Sequence, residues 1–340
     1  MSPPSLSGQR FATIMRSISL VQNSQHSLQY SSHIEVGAGL SGAGASIDSP
    51  SIVVKQWRRI ILEFQMKLLA LIVVTVVAAQ SAFGQENRRA SHCIAIAEDT
   101  PGIEFLQKAS WAAAPPEYAV QLHYISHASF LLRTHGGLTA ITDYTGFIGN
   151  TDFVPDIVTM NHAHTTHWTP YPDPNIPHIL RGWGEVFGEG ITHYLDLGEM
   201  VVRNVSTDIR SQISGREANG NSIFIFEVAG LCIGHLGHLH HVPSDEQFVA
   251  LGRLDVVMAP VDGGFSLTLP EIITTLKRLR SSIVIPMHWF SPLSLDAFIV
   301  GMSDDFAIIH AGQPSLTISL QDLPSKPTVM VLQPRWLNDE

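Results

Sequence analysis

From residue 117 onward, apolar and polar positions alternate in short runs, which predicts β-strands separated by turns. Glycine-containing pairs predict hairpin turns at three places: Gly136-Gly137, Asn219-Gly220 and Ala229-Gly230. The predicted strands in this part of the chain are 119–126, 129–133, 138–143, 156–160, 191–197, 200–205, 222–228 and 231–234. This region therefore indicates antiparallel sheet.

The last third of the chain has longer apolar periods. Residues 268–280 have apolar positions one helical turn apart, which predicts an amphipathic helix, and Ser244 is a suitable N-cap for a second helix. The predicted elements here are helices 244–251, 268–280 and 293–302 and strands 254–261 and 282–287. Antiparallel strands followed by strand–helix–strand units predict an α/β fold with two sheets covered by helices.

The N-terminal region differs from the rest. Residues 1–65 are rich in Ser, Gly and Gln without apolar periodicity, which predicts disorder. The alternative is an over-called leader, that is, a stretch that is not translated because the true start is Met66. Residues 66–84 begin Met-Lys, continue with an apolar run and end in small residues, as a secretory signal peptide does. An uncleaved N-terminal anchor is the alternative. We predict a periplasmic or secreted protein with one domain, 85–333, and a C-terminal tail, 334–340.

Composition narrows the class of partner. The net charge is −10, only 15% of residues are charged, and no basic stripe occurs, so the chain is not expected to bind nucleic acid. We expect a small-molecule substrate and no membrane contact beyond the anchor, while the oligomeric state stays open. Two cysteines, Cys93 and Cys232, are too few for a cysteine-type zinc site. In an exported protein they could form one disulfide, which the sequence does not establish.

Histidines gather where apolar strands end. His162, His164 and His167 follow the run 157–160 directly, and neutral imidazole is the commonest metal ligand. Residues two apart in extended backbone point to the same side, which favours His162 and His164 as a pair. Three further places carry such side chains: His127, the stretch 235–241 with His235, His238, His240 and His241, and His288. Strand ends at one sheet edge converge, so a metal site is predicted there.

These motifs resemble the metallo-β-lactamase superfamily, in particular its branch similar to ascorbate-6-phosphate lactonase and other small zinc hydrolases. The resemblance covers residues 118–290. It includes His-Ala-Ser-Phe-Leu at 127–131, Ile-Thr-Asp-Tyr at 141–144, Pro-Asp-Ile-Val-Thr-Met at 155–160, Ile-Gly-His-Leu-Gly-His at 233–238 and Ile-Pro-Met-His at 285–288. The resemblance implies a four-layer αββα sandwich of two mixed sheets flanked by helices, with a metal pair in the cleft.

Two positions depart from that family. The resemblance implies His162 and His164 on a first metal and His167 and His288 on a second, but Thr166 and His235 stand where the family has aspartates. Two divalent ions about 4 Å apart repel by about 16 kcal/mol at an effective dielectric of 20, and those carboxylates offset the repulsion. We therefore expect one tightly held ion rather than two. Zinc is favoured and iron is the alternative.

The site residues follow from both arguments. The candidate metal ligands are His162, His164, His167, His235, His238 and His288. His167, His238 and His241 are also candidates for proton transfer, and Asp143 for orienting a ligand imidazole. Aromatic residues beside the motifs favour an apolar or ring-bearing ligand. They are Trp168, Tyr171, Trp183 and Trp289.

The function predicted from the sequence is an exported metal-dependent hydrolase. It would use a metal-bound hydroxide on an ester, lactone, amide or phosphoester. The alternative is a non-catalytic metal-binding relative that lost its chemistry with the two aspartates. A redox enzyme with iron in the same site is a third reading.

Overall fold

The structure is a computed structural model, which describes residues 59, 61–68, 89, 91–94, 110–162, 164–210 and 215–339. The chain divides into two units, Met1–Phe83 and Gly84–Glu340. In the first unit, residues 61–68 are helical. Most of the predicted leader and signal peptide lie outside the described residues. Within the described ranges, no helix is both long and apolar enough to cross a membrane.

The first sheet of the second unit has six strands in the order β14-β1-β2-β3-β5-β6. It is mixed: β1, β2, β3 and β14 pair antiparallel, and β3, β5 and β6 pair parallel. Its strands are β1 (Ala119–Ser126), β2 (Ser129–Thr134), β3 (Thr139–Ile141), β5 (Ile157–Met160), β6 (His178–Arg181) and β14 (Ser315–Ser319).

The second sheet has eight strands in the order β13-β15-β12-β11-β10-β9-β8-β7, with parallel and antiparallel pairs. Its strands are β7 (Tyr194–Asp196), β8 (Met200–Ile209), β9 (Glu217–Val228), β10 (Leu231–His235), β11 (Val256–Pro260), β12 (Ile283–Met287), β13 (Ala307–His310) and β15 (Thr328–Val331). The helices that follow its strands are α1 (Asp245–Leu251), α2 (Leu269–Leu279) and α3 (Pro292–Met302).

The main core lies between the two sheets. Apolar side chains of β1 and β2, such as Leu122 and Phe130, pack there with Phe224 and Phe226 of β9. These strands are buried on both faces, and β1 accordingly buries the polar side chains Gln121 and His123 together with its apolar ones. The two sheets are thus held face to face by apolar burial.

A second core lies on the outer face of the eight-stranded sheet, where the helices pack. The outer face of the six-stranded sheet is covered, in the described part of the chain, by aromatic loop residues such as Trp111 and Phe153. The predicted α/β class with two mixed sheets is confirmed. The structure adds that the described helices of this unit lie against the eight-stranded sheet.

The predicted C-terminal tail packs against the domain. Strand β16 (Leu337–Asn338) pairs with β4 (Gly149–Asn150), and the Leu337 side chain is buried. The backbone N–H of Arg335 donates to the carbonyl of Tyr124. Two short strands far apart in sequence produce no local signal, so this pairing could not be read from the chain.

Two of the helices begin directly after residues that cap their first turn. Ser244 accepts from the Gln247 backbone N–H, and the Gln247 side chain accepts from the Ser244 N–H. Thr268 and Glu271 form the same reciprocal arrangement at α2. Each satisfies backbone donors that a helix start otherwise leaves unpaired.

A buried ion pair fixes α1 to the second sheet. Arg203 Nε donates to Glu227 Oε1 at 2.8 Å, and its two terminal nitrogens donate to the carbonyls of Ala250 and Leu251 at the end of α1. Both charged side chains are buried.

We expect Arg203→Ala to lower the free energy of unfolding by about 3–5 kcal/mol, because it leaves the buried Glu227 charge without the guanidinium and with Ser91 and His92 left beside it. Lys277→Ala, which removes an exposed pair with Asp305, is the control and should cost less than about 1 kcal/mol. Urea unfolding of both variants measures the difference. Equal losses would show that the buried pair contributes no more than a surface one.

Candidate metal centre

The carboxyl ends of six strands meet at one edge of the two sheets. In the first sheet β1, β3 and β5 run the same way, and in the second β10, β11 and β12 do. The turns after them carry the polar side chains of the site. Three of these residues, His127, Asp143 and His288, have left-handed backbone, with φ of 48°, 43° and 57°. Such conformations are uncommon without glycine and cluster at functional sites.

Four imidazoles converge at this edge: His164, His167, His238 and His288. One nitrogen from each lies within 4.8 Å of the others. Three of the side chains are buried and His164 is exposed, so the group opens to solvent on one side. Nitrogens at such spacings can surround a single ion.

Buried carboxylates orient two of these rings. Nδ1 of His167 donates to Asp143 Oδ2 at 2.5 Å, and Nδ1 of His288 donates to Asp262 Oδ2 at 2.9 Å. All four side chains are fully buried. An ionised carboxylate only accepts hydrogen bonds, so each ring carries its hydrogen on Nδ1 and leaves a lone pair on Nε2.

Those two Nε2 atoms face each other at 3.2 Å. With both hydrogens on Nδ1, this contact brings two lone pairs together and is unfavourable unless a cation lies between or beside them. His238 adds a buried ring whose two nitrogens have no hydrogen-bond partner. The donor set therefore fits a metal that prefers imidazole.

Burial keeps these groups in the state that metal binding needs. It lowers the pKa of His238 and of His167 well below the usual value, and the neighbouring imidazoles lower both further. Burial raises the pKa of Asp143 to about 6, against the effect of nearby His235 and the Asn161 hydrogen bond. Burial would also raise the pKa of Asp262, but hydrogen bonds from His288 and Ser266 outweigh it and hold that pKa low. Neutral imidazoles are the form that ligates.

His162, predicted as a ligand, lies outside this group. Its ring stacks on Trp183 with centroids 4.9 Å apart, and its Nδ1 lies 3.5 Å from Glu217 Oε1. The reason is local: the His167 N–H donates to the His164 carbonyl and the Asn161 N–H to the His167 carbonyl, so this stretch is a turn rather than a strand. The same-side rule for residues two apart does not apply in a turn.

His235 also lies outside the group, because hydrogen bonds occupy both its nitrogens. Nε2 donates to the Ala128 carbonyl at 2.8 Å, and Nδ1 accepts from the Gly237 N–H at 3.2 Å. It thus ties the second sheet to the hairpin of the first. His241 is not among the four, and His240 is the neighbour whose ring lies 4.4 Å from that of His238. Of the predicted site residues, the structure brings together His164, His167, His238, His288 and Asp143.

The site also contains Asp262, His127 and Thr166, none of which was predicted as a metal ligand or proton-transfer residue. Asp262 follows β11 in an Asp-Gly-Gly turn, which reads as an ordinary turn signal in sequence. His127 packs on His288 with centroids 4.0 Å apart, and its Nε2 lies 2.9 Å from the Thr166 hydroxyl. That hydroxyl is also 2.7 Å from His164 Nδ1, so it bridges two imidazoles. The strand end before His127 is the signal that placed it among the histidines of this edge.

The aromatic residues predicted as walls lie elsewhere. Trp168 and Trp183 pack around His162, with ring centroids 5.4 and 4.9 Å from it. Trp289 packs against the core beneath the helices, and Tyr171 is 86% exposed. No ring contact in the described residues joins these four side chains to the four-histidine group.

Two mixed sheets with imidazoles gathered at their common edge form a candidate metal site, and comparisons with known proteins indicate the class of metal-dependent hydrolases. A family model described as a beta-lactamase superfamily domain matches residues 121–288. A UPF0173 metal-dependent hydrolase of Methanospirillum hungatei is 26% identical over 188 residues, covering 50% of this chain and 83% of the relative. A second, from Pyrococcus abyssi, is 32% identical over 90 residues, covering 25% of this chain and 40% of the relative.

The domain at residues 121–288 belongs to the metallo-β-lactamase superfamily, and its relatives are metal-dependent hydrolases. Among solved structures it is similar to Igni18, a metallo hydrolase from Ignicoccus hospitalis. That likeness has 17% identity and a TM-score of 0.44 and covers 59% of this chain and 99% of the other. The family assignment does not depend on it.

Proposed function

We propose that the protein is an exported hydrolase of a small ester, lactone, amide or phosphoester, with one zinc ion held by the four-histidine group. The observation that carries the proposal is the pair of Nε2 atoms 3.2 Å apart, each on a ring whose Nδ1 is held by a buried carboxylate. This arrangement is the one that orients imidazoles toward a metal. The negative net charge favours a small molecule over nucleic acid as substrate.

The residues of this chain divide the work. His164, His167, His238 and His288 would hold the ion, which supplies a Lewis acid and acidifies water when bound. Asp143 and Asp262 fix the tautomer and direction of two ligand rings. Asn161 donates to Asp143 and accepts from the Ser222 N–H, so it holds Asp143 relative to the second sheet. The exposed side at His164 is where a substrate reaches the group.

A substrate scan tests the hydrolase. Esters, lactones, phosphodiesters and β-lactams are offered to zinc-loaded protein, with His167→Ala as the blank. Hydrolysis by the wild type but not by the variant is expected. Equal background in both would instead favour the non-catalytic metal-binding relative.

One ion is proposed rather than two because the two aspartates of the family are replaced. His235 uses both nitrogens in hydrogen bonds, and Thr166 is a neutral hydroxyl between His127 and His164. Neither offsets the repulsion of a second divalent ion, about 16 kcal/mol at an effective dielectric of 20. Plasma emission on protein purified without added metal should give one equivalent per chain, and two equivalents would contradict this.

Thr166→Asp should raise the metal content toward two equivalents, because it places a carboxylate beside His164 and His127. Thr166→Asn is the matched control: it has nearly the same shape and no charge, and should stay at one. Metal content is measured by plasma emission after equilibration with zinc and gel filtration. The same content in both variants would show that the missing charge does not limit the second ion.

Export is proposed from the signal-like segment 66–84 and is supported by the disulfide between Cys93 and Cys232. Stable disulfides are typical of oxidising compartments outside the cytoplasm. Expression of the full chain in a bacterium, followed by fractionation and N-terminal sequencing, should give a periplasmic or secreted protein beginning near Gln85. A cytoplasmic protein that retains residues 66–84 would contradict export.

A further inference from the structure

Two exposed phenyl rings lie beside the metal centre. Phe290 is 60% exposed and Phe265 is 69% exposed, and their rings meet edge to face with centroids 5.6 Å apart. The Phe290 ring also lies 5.0 Å from that of His288 and 5.4 Å from that of His127. An apolar surface therefore begins directly at the four-histidine group.

Hydrogen bonds from two side chains hold the backbone at Phe265 in place. The carboxylate of Asp262 accepts from its N–H at 2.6 Å and also from the N–H groups of Gly264 and Ser266. Arg210 donates to the carbonyls of Gly264, Phe265 and Ser266 from the other side. The same Asp262 accepts from His288, so one carboxylate fixes both the ligand imidazole and the loop that carries the ring.

Phe290 is held by the end of β12. His288 has left-handed backbone, and its N–H donates to the His127 carbonyl at 2.8 Å. This turn directs the His288 ring into the four-histidine group and places Phe290 two residues later at its rim. Hydrogen bonds thus hold the backbone at or beside both positions, and the two rings contact each other, which limits the ordering of the protein that ligand binding would cost.

We propose that Phe265 and Phe290 bind an aromatic or alicyclic ring of the substrate that lies next to the hydrolysed group. The Phe290 ring lies 5.0 Å from that of His288, so a ring bound on Phe290 is close to a group held at the four histidines. Edge-to-face and offset stacking on exposed phenyl rings favours a ring over a short alkyl group. The inference rests on the proposed function, since it places the reacting group at the four histidines.

The test measures binding rather than turnover. Acetohydroxamate and benzohydroxamate share a metal-binding head and differ in a methyl or a phenyl tail, and their affinities for zinc-loaded protein are measured by calorimetry. The phenyl compound should bind about tenfold more tightly, and Phe290→Ala and Phe265→Ala should each reduce that ratio to within about threefold. Phe147→Ala is the control, because Phe147 is 59% exposed and contacts Trp336 at 5.0 Å in a similar exposed pair.

A wild-type ratio near one, or a ratio that survives both substitutions, would overturn the ring-binding surface. Failure of the phenyl compound to bind would overturn it as well. Thermal unfolding verifies that each variant is folded. The two proposals fail separately: a phenyl preference without any hydrolysis contradicts only the proposed function, whereas hydrolysis without a phenyl preference contradicts only this inference.

Discussion

Alanine in place of His238 should lower zinc affinity by more than about 100-fold. Loss of a residue that only orients a ligand costs up to about 100-fold, and loss of a ligand itself should cost more. Alanine in place of His162 should change that affinity by less than about threefold. The contrast follows from position. His238 has two buried nitrogens without partners and lies among the four converging rings, whereas His162 stacks on Trp183 beside Glu217.

Competition titration against a zinc-binding dye measures both affinities, and near-ultraviolet circular dichroism verifies that the variants are folded. The two affinities decide between two expectations for His162. The family resemblance makes it a ligand of the first metal, whereas the structure places it outside the four-histidine group. A large loss in His162→Ala with little loss in His238→Ala would show that the loop 161–167 rearranges around the ion. Comparable large losses would place both residues at the metal.

Removal of the Cys93–Cys232 disulfide should lower the free energy of unfolding by about 5 kcal/mol on the chain-entropy account, because the bond closes a loop with a sequence separation of 139. The two cysteines are 1% and 0% exposed, so the bond is part of the core beneath the helices. Cys93→Ala combined with Cys232→Ala avoids placing a new polar group there. It also frees the segment 91–94 from the position where Ser91 and His92 meet Glu227.

Denaturant unfolding of the double variant and of the wild type, each with and without reducing agent, measures the effect. Reduced wild type and the double variant should have the same stability, and the reductant should not change the variant. Stability of the double variant equal to that of the oxidised wild type would show that the bond contributes nothing. Such a result would also weaken the disulfide as support for export.

Many elements of the fold could be read locally. Strand β1 has the predicted bounds, α1 begins after the predicted cap Ser244, α2 lies within the predicted helix 268–280, and β12 ends before His288 as expected. These elements have strong apolar periods and capping residues, which act over a few positions. Strands β4, β6, β13, β14, β15 and β16 were missed, because strands of two to five residues are specified by distant partners rather than by their own pattern.

The sequence by itself determined the chemistry of the protein: apolar strands that end in imidazoles, a family motif with both aspartates replaced, and therefore a metal-dependent hydrolase class. It did so because strand periodicity and ligand type are properties of short stretches. Only the tertiary structure decided which imidazoles meet. It turned His162 outward, used both nitrogens of His235, and brought Asp262 to His288. The direction of a side chain at a turn depends on hydrogen bonds to remote backbone, which no local pattern encodes.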